Sequence, residues 1–179
     1  MPTRDPAPRP VLLLDAHTTQ ALACARSLGR SGRRVLAASR RRWPLAAWSK
    51  WSAGQFRVAA ETIDEYRRLR DWARERGATV VLPMTERSCL LCNAERGAWE
   101  AAGMAVGCAP DATLLRAFDK VRTLEDAHRC GITTPPTVAP TSHEEYYEAA
   151  QVLGFPCVVK SRFSDAWVGQ SFVRGGGAS

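Results

Sequence analysis

The sequence has no apolar run approaching the roughly 20 residues that a helix needs to span a bilayer. Residues 1–10 are rich in proline and include arginine. They lack an apolar core ahead of a cleavage site, so they do not have the pattern of a secretory signal. We therefore predict a cytoplasmic protein with no membrane partner, in which residues 1–10 form a disordered leader.

A second cysteine pair and a histidine cluster are also missing. Cys89 and Cys92 form a C-x-x-C motif, but structural zinc takes four ligands, and no further ligands follow at a suitable spacing. The pair lies within the apolar face of a predicted helix, whereas a redox pair usually begins a helix that follows a strand. We interpret both thiols as packing residues, with redox or metal chemistry as the weaker alternative.

A glycine-rich phosphate loop is absent from the position where a dinucleotide-binding fold would place it. The first predicted strand, residues 11–14, is followed by Asp-Ala-His at residues 15–17, where that fold would have G-x-G-x-x-G. Gly29 and Gly32 come at the far end of the next helix and cannot hold a pyrophosphate. The pattern therefore predicts a Rossmann-like scaffold without the dinucleotide loop.

Positive charge exceeds negative charge, and the formal net charge is +7. This allows an anionic partner. The densest basic run is at residues 40–42, close to Trp43, Trp48 and Trp51. Basic residues interleaved with aromatic ones can bind single-stranded nucleic acid, but charge alone is weak support for it. We favour the alternative, in which these tryptophans pack on the domain and nucleic acid is not the partner.

Short apolar runs alternate with helical patterns through the first two thirds of the chain. This order is typical of strands and crossover helices in a parallel sheet with both faces covered. The predicted strands of one parallel sheet lie at residues 11–14, 35–38, 79–82 and 105–107, with a further short strand at 56–58. The predicted helices lie at residues 19–31, 62–76 and 88–102.

The loop after the strand at residues 79–82 contains Thr85 and Glu86. It lies at the carboxyl end of that strand, and ligands bind at this edge of open α/β sheets. One hypothesis is that Thr85 caps the next helix and that Glu86 interacts with its dipole. The other is that the loop faces a substrate cleft. We weigh the two equally, and they are compatible.

Lysine is scarce, and two of the three lysines bound one stretch of the chain. Of 25 Lys and Arg residues, only Lys50, Lys120 and Lys160 are lysine. Lysine is a compact point charge suited to a phosphate oxygen, whereas arginine prefers planar, two-pronged partners. Between the last two lysines, the pattern predicts helices at 119–130 and 142–153 and a strand at 157–160 that ends on Lys160. A short helix at 110–117 precedes them. This layout could direct both lysines at one anion.

The sequence around these lysines resembles the start of an ATP-grasp domain. The resemblance rests on Phe118-Asp119-Lys120, on residues 131–136 and on Gly-Phe-Pro-x-Val-Val-Lys at 154–160. The residues before it resemble the pre-ATP-grasp domain of the same enzymes. The branch it resembles most is that of carboxylate–amine ligases related to D-aspartate ligase and the large subunit of carbamoyl-phosphate synthetase. The resemblance covers roughly residues 11 to 174.

The resemblance implies an α/β protein in two parts. Residues 11–108 would form a Rossmann-like parallel-sheet domain, and residues 109–179 an incomplete α+β segment of the ATP-grasp domain. Such ligases use ATP and Mg²⁺ to phosphorylate a small carboxylate, and an amine then attacks the acyl phosphate. In that family the lysines at the positions of Lys120 and Lys160 contact the ATP phosphates.

The resemblance also implies a loop at residues 161–170 that closes over the phosphates, in which we predict that Ser161 and Arg162 bind ATP phosphate oxygens. Gly169 is its only glycine, which departs from the commonest form. We interpret Gly175-Gly176-Gly177 as a turn after a returning strand at 171–173. The carboxylates that hold Mg²⁺ are expected beyond residue 179, so this chain is expected to supply no metal ligands.

We accordingly expect a fragment that does not turn over ATP, with mobile residues from about 161 onward. The main alternative is a non-catalytic, Rossmann-like binding or regulatory domain. The sequence leaves homo-oligomerisation open.

Overall fold

The computed structural model describes residues 8–168 and 171–174. The chain divides into two compact units, Met1–Pro110 and Asp111–Ser179, and each is described by itself. Most of the predicted leader lies outside the described residues, as do Gly169 and the predicted glycine turn at residues 175–177. The functional assignments of the two parts, and the mobility expected after residue 161, stay predictions.

The first unit is built on a five-stranded parallel sheet. Each pair of neighbouring strands is parallel, so the predicted sheet and the α/β fold class are confirmed. The strand predicted at 56–58 begins earlier than expected and pairs with the second strand of the chain. In chain order the strands are β1 (Val11–Leu13), β2 (Val35–Ser39), β3 (Ser52–Arg57), β4 (Val80–Leu82) and β5 (Ala105–Val106), and their order in the sheet is β3-β2-β1-β4-β5.

The centre of the sheet is the hydrophobic core of this unit. Strand β1 lies between β2 and β4, and all residues of β1 and β2 are buried. Val11 and Leu13 pack with Ala21 and Ala25 of the helix that follows β1. Burying one large aliphatic side chain contributes about 1.5–3 kcal/mol. The uninterrupted apolar runs therefore bury β1 and β2 in the core. The polar residues that follow these strands lie at the carboxyl edge of the sheet.

Among the described residues of the first unit, four helices cover the sheet. Two of them begin at threonine caps, because Thr18 accepts a hydrogen bond from Ala21 N at 3.2 Å and Thr62 accepts one from Glu65 N at 3.3 Å. The helices are α1 (Thr19–Arg30), α2 (Ile63–Glu75), α3 (Glu86–Ala94) and α4 (Arg96–Ala101), and a 3-10 turn lies at Leu45–Trp48.

The single helix predicted at residues 88–102 is wrong. The segment begins at Glu86 and is broken into α3 and α4 at Glu95, whose backbone has φ −127° and ψ 30°. The Glu95 carboxylate accepts hydrogen bonds from Arg67 at 2.5–2.7 Å and from Arg70 at 3.1 Å. These charged contacts from α2 lower the pKa of Glu95 and hold the break in place.

The described residues of the second unit form three helices and a two-stranded hairpin. All three helices lie where the sequence predicted them, but the strand predicted at 157–160 is wrong, since that segment has no strand conformation. Val158 and Val159 are 80% and 70% exposed, and a strand forms only beside a neighbour that satisfies its backbone groups. The predicted returning strand does form, in a hairpin. The elements are α5 (Asp111–Phe118), α6 (Lys120–Arg129), α7 (His143–Leu153), β6 (Asp165–Val168) and β7 (Ser171–Arg174), and β6 and β7 are antiparallel.

Candidate functional site

The amino end of α6 places the first of the two predicted lysines. Asp119 is the N-cap, and its Oδ1 accepts hydrogen bonds from Val121 N at 3.1 Å and Arg122 N at 3.4 Å. An aspartate at this position satisfies amide groups that the helix leaves without partners, and its charge complements the helix dipole. Lys120 is the first helical residue, so the helix fixes the backbone position from which its side chain extends.

Arg162 ties the segment after Lys160 to the same helix end. Its Nε donates to Asp119 Oδ1 at 2.8 Å, and its Nη2 donates to Oδ2 at 2.6 Å. This two-pronged geometry is the strong form of a carboxylate–guanidinium pair. The Asp119 side chain is almost fully buried, and the bond to Arg162 lowers the pKa of Asp119 to about 2. The carboxylate therefore stays charged and fixes two chain segments that are 43 residues apart.

The Lys120 ammonium lies against the segment that Arg162 holds. Its Nζ donates to Ser164 Oγ at 3.0 Å and to the carbonyl oxygen of Arg162 at 3.4 Å, and the backbone N–H of Lys120 donates to that same carbonyl at 3.2 Å. Both acceptors of the ammonium are neutral oxygens. The positive charge of Lys120 is therefore held in position without a carboxylate among the described residues to neutralise it.

Two of the predicted phosphate-binding residues, Lys120 and Arg162, are thus brought together. Lys160 is exposed and has no described hydrogen bond, and Ser161 is partly buried. The convergence of Lys120 and Lys160 on one anion stays a prediction. The roles of Asp119 and Ser164 were missed at the sequence level. Asp119 had a readable signal, because an aspartate directly before a helical pattern is a common N-cap.

The loop after β4 in the first unit contains the other candidate residues. Thr85 is the N-cap of α3 and forms a reciprocal capping box with Ser88, which confirms the capping hypothesis. Asp15, at the end of β1, also binds this loop. Its Oδ2 accepts hydrogen bonds from Thr85 Oγ1 at 3.0 Å, Ser88 Oγ at 2.6 Å and Met84 N at 3.3 Å. The loops after β1 and β4 are therefore joined through one carboxylate.

Glu86 differs from its neighbours because one of its oxygens has no partner. Its Oε2 atom is buried and makes no hydrogen bond among the described residues. A buried acceptor without a donor costs about 1–3 kcal/mol. Such an atom at the carboxyl end of a parallel strand is the feature expected of a group that receives a donor from a ligand.

The C-x-x-C cysteines lie in α3, and the structure supports their interpretation as packing residues. Burial raises the pKa of Cys89 to about 12, with a further contribution from Cys108. Burial also raises the pKa of Cys92 well above its ordinary value. Redox and metal chemistry use the thiolate, which these environments disfavour. Across residues 8–168 and 171–174, no group of three or more His, Cys, Asp or Glu side chains could hold a metal ion.

The tryptophans after the basic run do not all pack on the domain. Trp43 and Trp48 are 64% and 73% exposed, so the packing prediction is wrong for both. Their ring centroids lie 5.9 Å apart. The 3-10 turn buries Pro44 and Ala46, which leaves the two indole rings outside and against each other. Trp51 is partly buried and packs on Gly29.

Comparison with solved structures identifies the kind of protein that has this fold. The N5-carboxyaminoimidazole synthetase of Staphylococcus aureus, solved with ADP, matches 94% of this chain and 41% of its own at 12% identity, with a TM-score of 0.62. The equivalent Thermotoga maritima synthetase matches 87% of this chain and 39% of its own at 17% identity, with a TM-score of 0.59. A biotin carboxylase domain of a single-chain bacterial carboxylase matches 80% of this chain and 34% of its own at 22% identity, with a TM-score of 0.53. The chain therefore has the fold of part of these ATP-grasp enzymes.

Sequence comparison gives a shorter but closer similarity. The formate-dependent phosphoribosylglycinamide formyltransferases of Azotobacter vinelandii and an Azoarcus species are 47% and 45% identical to this chain over 49 residues. That segment is 27% of this chain and 12% of each relative. No protein-family model matches. The similarity is confined to that segment, and it agrees with the likeness of the fold to ATP-grasp enzymes. The chain spans well under two thirds of these proteins.

The described residues contain no helix with the length and apolar character required to cross a membrane. A cytoplasmic location stays a prediction.

Proposed function

We propose that this chain is the amino-terminal part of an ATP-dependent carboxylate–amine ligase that acts through an acyl phosphate. The observation that carries the proposal is the position of the Lys120 ammonium, 3.0 Å from Ser164 in a segment that Arg162 ties to the start of α6. The fold, the similarity to formate-dependent enzymes and the ADP in one related structure support it.

Lys120 is proposed to bind a phosphate oxygen of ATP. Its ammonium now binds two neutral oxygens, and a charged phosphate oxygen is a better acceptor for it. Arg162 is already paired with Asp119, so its role is to hold the segment that carries Ser161, with its guanidinium at the rim of the site. Lys160 directly precedes this segment and would supply the second positive charge. Positive charge fixed near a transferring phosphoryl group stabilises its transition state.

In the first unit, Glu86 and Thr85 are proposed to face the substrates. The unpaired Oε2 of Glu86 would accept an N–H of the amine substrate, and the Asp15 contacts would hold Thr85 and the loop in position. Glu86→Gln should then raise the KM for the amine in the complete enzyme, while ATP affinity stays unchanged.

The described residues do not fit Mg²⁺, since they include no suitable group of ligands. We propose that residues other than the described ones supply its ligands. When bound, Mg²⁺ would neutralise phosphate charge during transfer. The chain by itself is accordingly proposed to bind ATP weakly and not to turn it over. The alternative is a non-catalytic Rossmann-like binding domain, which predicts no nucleotide contact at Lys120.

The test is ATP binding by the 179-residue chain, measured by saturation-transfer NMR, which detects millimolar affinities. Lys120→Ala and Lys160→Ala should each weaken binding by about 1–3 kcal/mol, the value for a lost charged hydrogen bond. The matched control is Lys50→Ala, which removes the same charge from the first unit, where Lys50 lies over Trp51 at 4.9 Å. Equal affinities in all three variants would favour the alternative. Hydrolysis by the pure chain at about 1 per second or faster would contradict the proposed inactivity.

A further inference from the structure

A cavity of about 450 Å³ lies in the first unit at the carboxyl edge of the sheet. The loops that follow β1, β2 and β3 all contribute to its lining, because the carboxyl ends of parallel strands meet at one edge. This volume is within the roughly 300–1,000 Å³ of small-molecule sites. The residues that line the cavity include His17, Arg40, Arg41, Arg57 and Glu61.

The lining is positively charged. Three guanidinium groups and one carboxylate surround the cavity, and that carboxylate, on Glu61, is shared between Arg40 at 3.1 Å and Arg87 at 2.5 Å. Within residues 8–168 and 171–174, no carboxylate is paired with Arg41 or Arg57. Two guanidinium groups therefore remain available to an anion in the cavity.

Buried Ser39 organises this edge. Its side-chain oxygen accepts a hydrogen bond from Arg41 N at 3.1 Å and lies 3.1 Å from His17 Nδ1, and its carbonyl oxygen accepts a bond from Val58 N at 2.9 Å. Ser39 is 2% exposed. The loops after all three strands are thus fixed to one buried residue. The cavity wall is preformed, which reduces the cost of ordering the site when a ligand binds.

We propose that this cavity binds the phosphoryl group of a small phosphorylated molecule. A single guanidinium satisfies a planar carboxylate through two bonds, whereas here two unpaired guanidinium groups come from the ends of two different strands. Such an arrangement suits a tetrahedral dianion with three acceptor oxygens. The cavity is larger than a phosphate ion, which leaves space for the rest of the molecule. The site lies in the first unit and does not depend on the nucleotide site proposed at Lys120.

The experiment uses inorganic phosphate as the probe and follows the amide signals of the 179-residue chain by ¹H–¹⁵N NMR at constant ionic strength. We expect saturable shifts at Ser39, Arg41 and Val58. Arg41→Gln and Arg57→Gln should each weaken this binding roughly tenfold or more, because each removes a charged hydrogen bond. Arg33→Gln is the matched control, because Arg33 is exposed and precedes β2 at the opposite edge of the sheet. The spectrum of each variant also reports whether it folds.

Each alternative outcome has a distinct pattern. Equal weakening by Arg33→Gln, or no saturable shift, would overturn the proposal in favour of diffuse charge attraction. Tighter binding of succinate than of phosphate would reassign the cavity to carboxylates. If a single-stranded oligonucleotide displaces phosphate and Trp43→Ala with Trp48→Ala abolishes that displacement, the surface is a nucleic-acid site. Lys120→Ala should leave all these shifts unchanged, so failure here is separable from failure of the nucleotide proposal.

Discussion

Gly29→Ala should destabilise the first unit even though alanine is the better helix former. A Cβ at Gly29 would overlap the Cγ, Cδ1 and Cδ2 atoms of the Trp51 indole. Trp51 cannot retreat as a whole, because its carbonyl oxygen accepts a hydrogen bond from Val35 N at 3.1 Å. The indole would have to rotate into solvent.

The expected size follows from the surface that the indole would expose. If about half of a tryptophan's buried area, roughly 100 Å², returns to water, the loss is about 2.5 kcal/mol at about 25 cal/mol per Å². The alanine substitution regains up to about 1 kcal/mol of helix propensity. The net destabilisation should therefore be about 1.5–2.5 kcal/mol.

Gly97→Ala is the matched control, since Gly97 lies in α4 and an added Cβ there meets no atom within 4 Å. It should leave stability unchanged or raise it by up to about 1 kcal/mol. The assay is urea unfolding followed by far-UV circular dichroism, with amide hydrogen exchange in β2 to report on the first unit. Equal effects of the two substitutions would refute the reasoning. So would a Gly29→Ala cost that persists in the background of Trp51→Ala.

Two further predictions follow from shifted pKa values. Arg162 holds the pKa of Asp119 at about 2, below its value of about 3.9 in an unfolded chain. The stability that Asp119 contributes is therefore complete above about pH 4 and is lost as the pH falls towards 2. The protection of the α6 amides from hydrogen exchange, relative to their intrinsic rates at each pH, should fall over that range, and Asp119→Asn should remove this pH dependence. Because burial raises the pKa of Cys89 to about 12, iodoacetamide at pH 8 should modify exposed Cys130 first, as peptide mass spectrometry can check. Faster modification of Cys89 would contradict its burial.

The elements that the sequence predicted correctly depend on local signals. The apolar runs of β1 and β2 indicate strands buried on both faces, and Thr18 and Thr62 mark helix starts, because a hydroxyl group beside the first turn satisfies amide groups there. These signals need no knowledge of distant residues. They were sufficient for the parallel sheet and for the start of α6, which positions Lys120.

The wrong predictions concern segments whose structure depends on residues that are distant in the sequence. The break at Glu95 is held by Arg67 and Arg70 of another helix. The residues next to Glu95 in the sequence do not reveal these partners. The segment 157–160 has strand composition, but a strand also requires a neighbour to pair with. The outward position of Trp48 depends on how the 3-10 turn inserts Ala46 into the core, which composition cannot show.

Asp15 restricts how the loop after β1 could change in evolution. Its backbone is in the left-handed region, with φ 49°, where glycine is the easiest replacement. Glycine would keep the turn but remove the carboxylate that receives two donors from the loop after β4 and one from Ser88 of α3. A drift towards a glycine-rich, pyrophosphate-binding turn would therefore release the neighbouring loop and leave Ser88 Oγ without its shortest bond. The two loops are expected to have evolved together, so that replacing Asp15 requires compensating changes at Thr85 and Ser88.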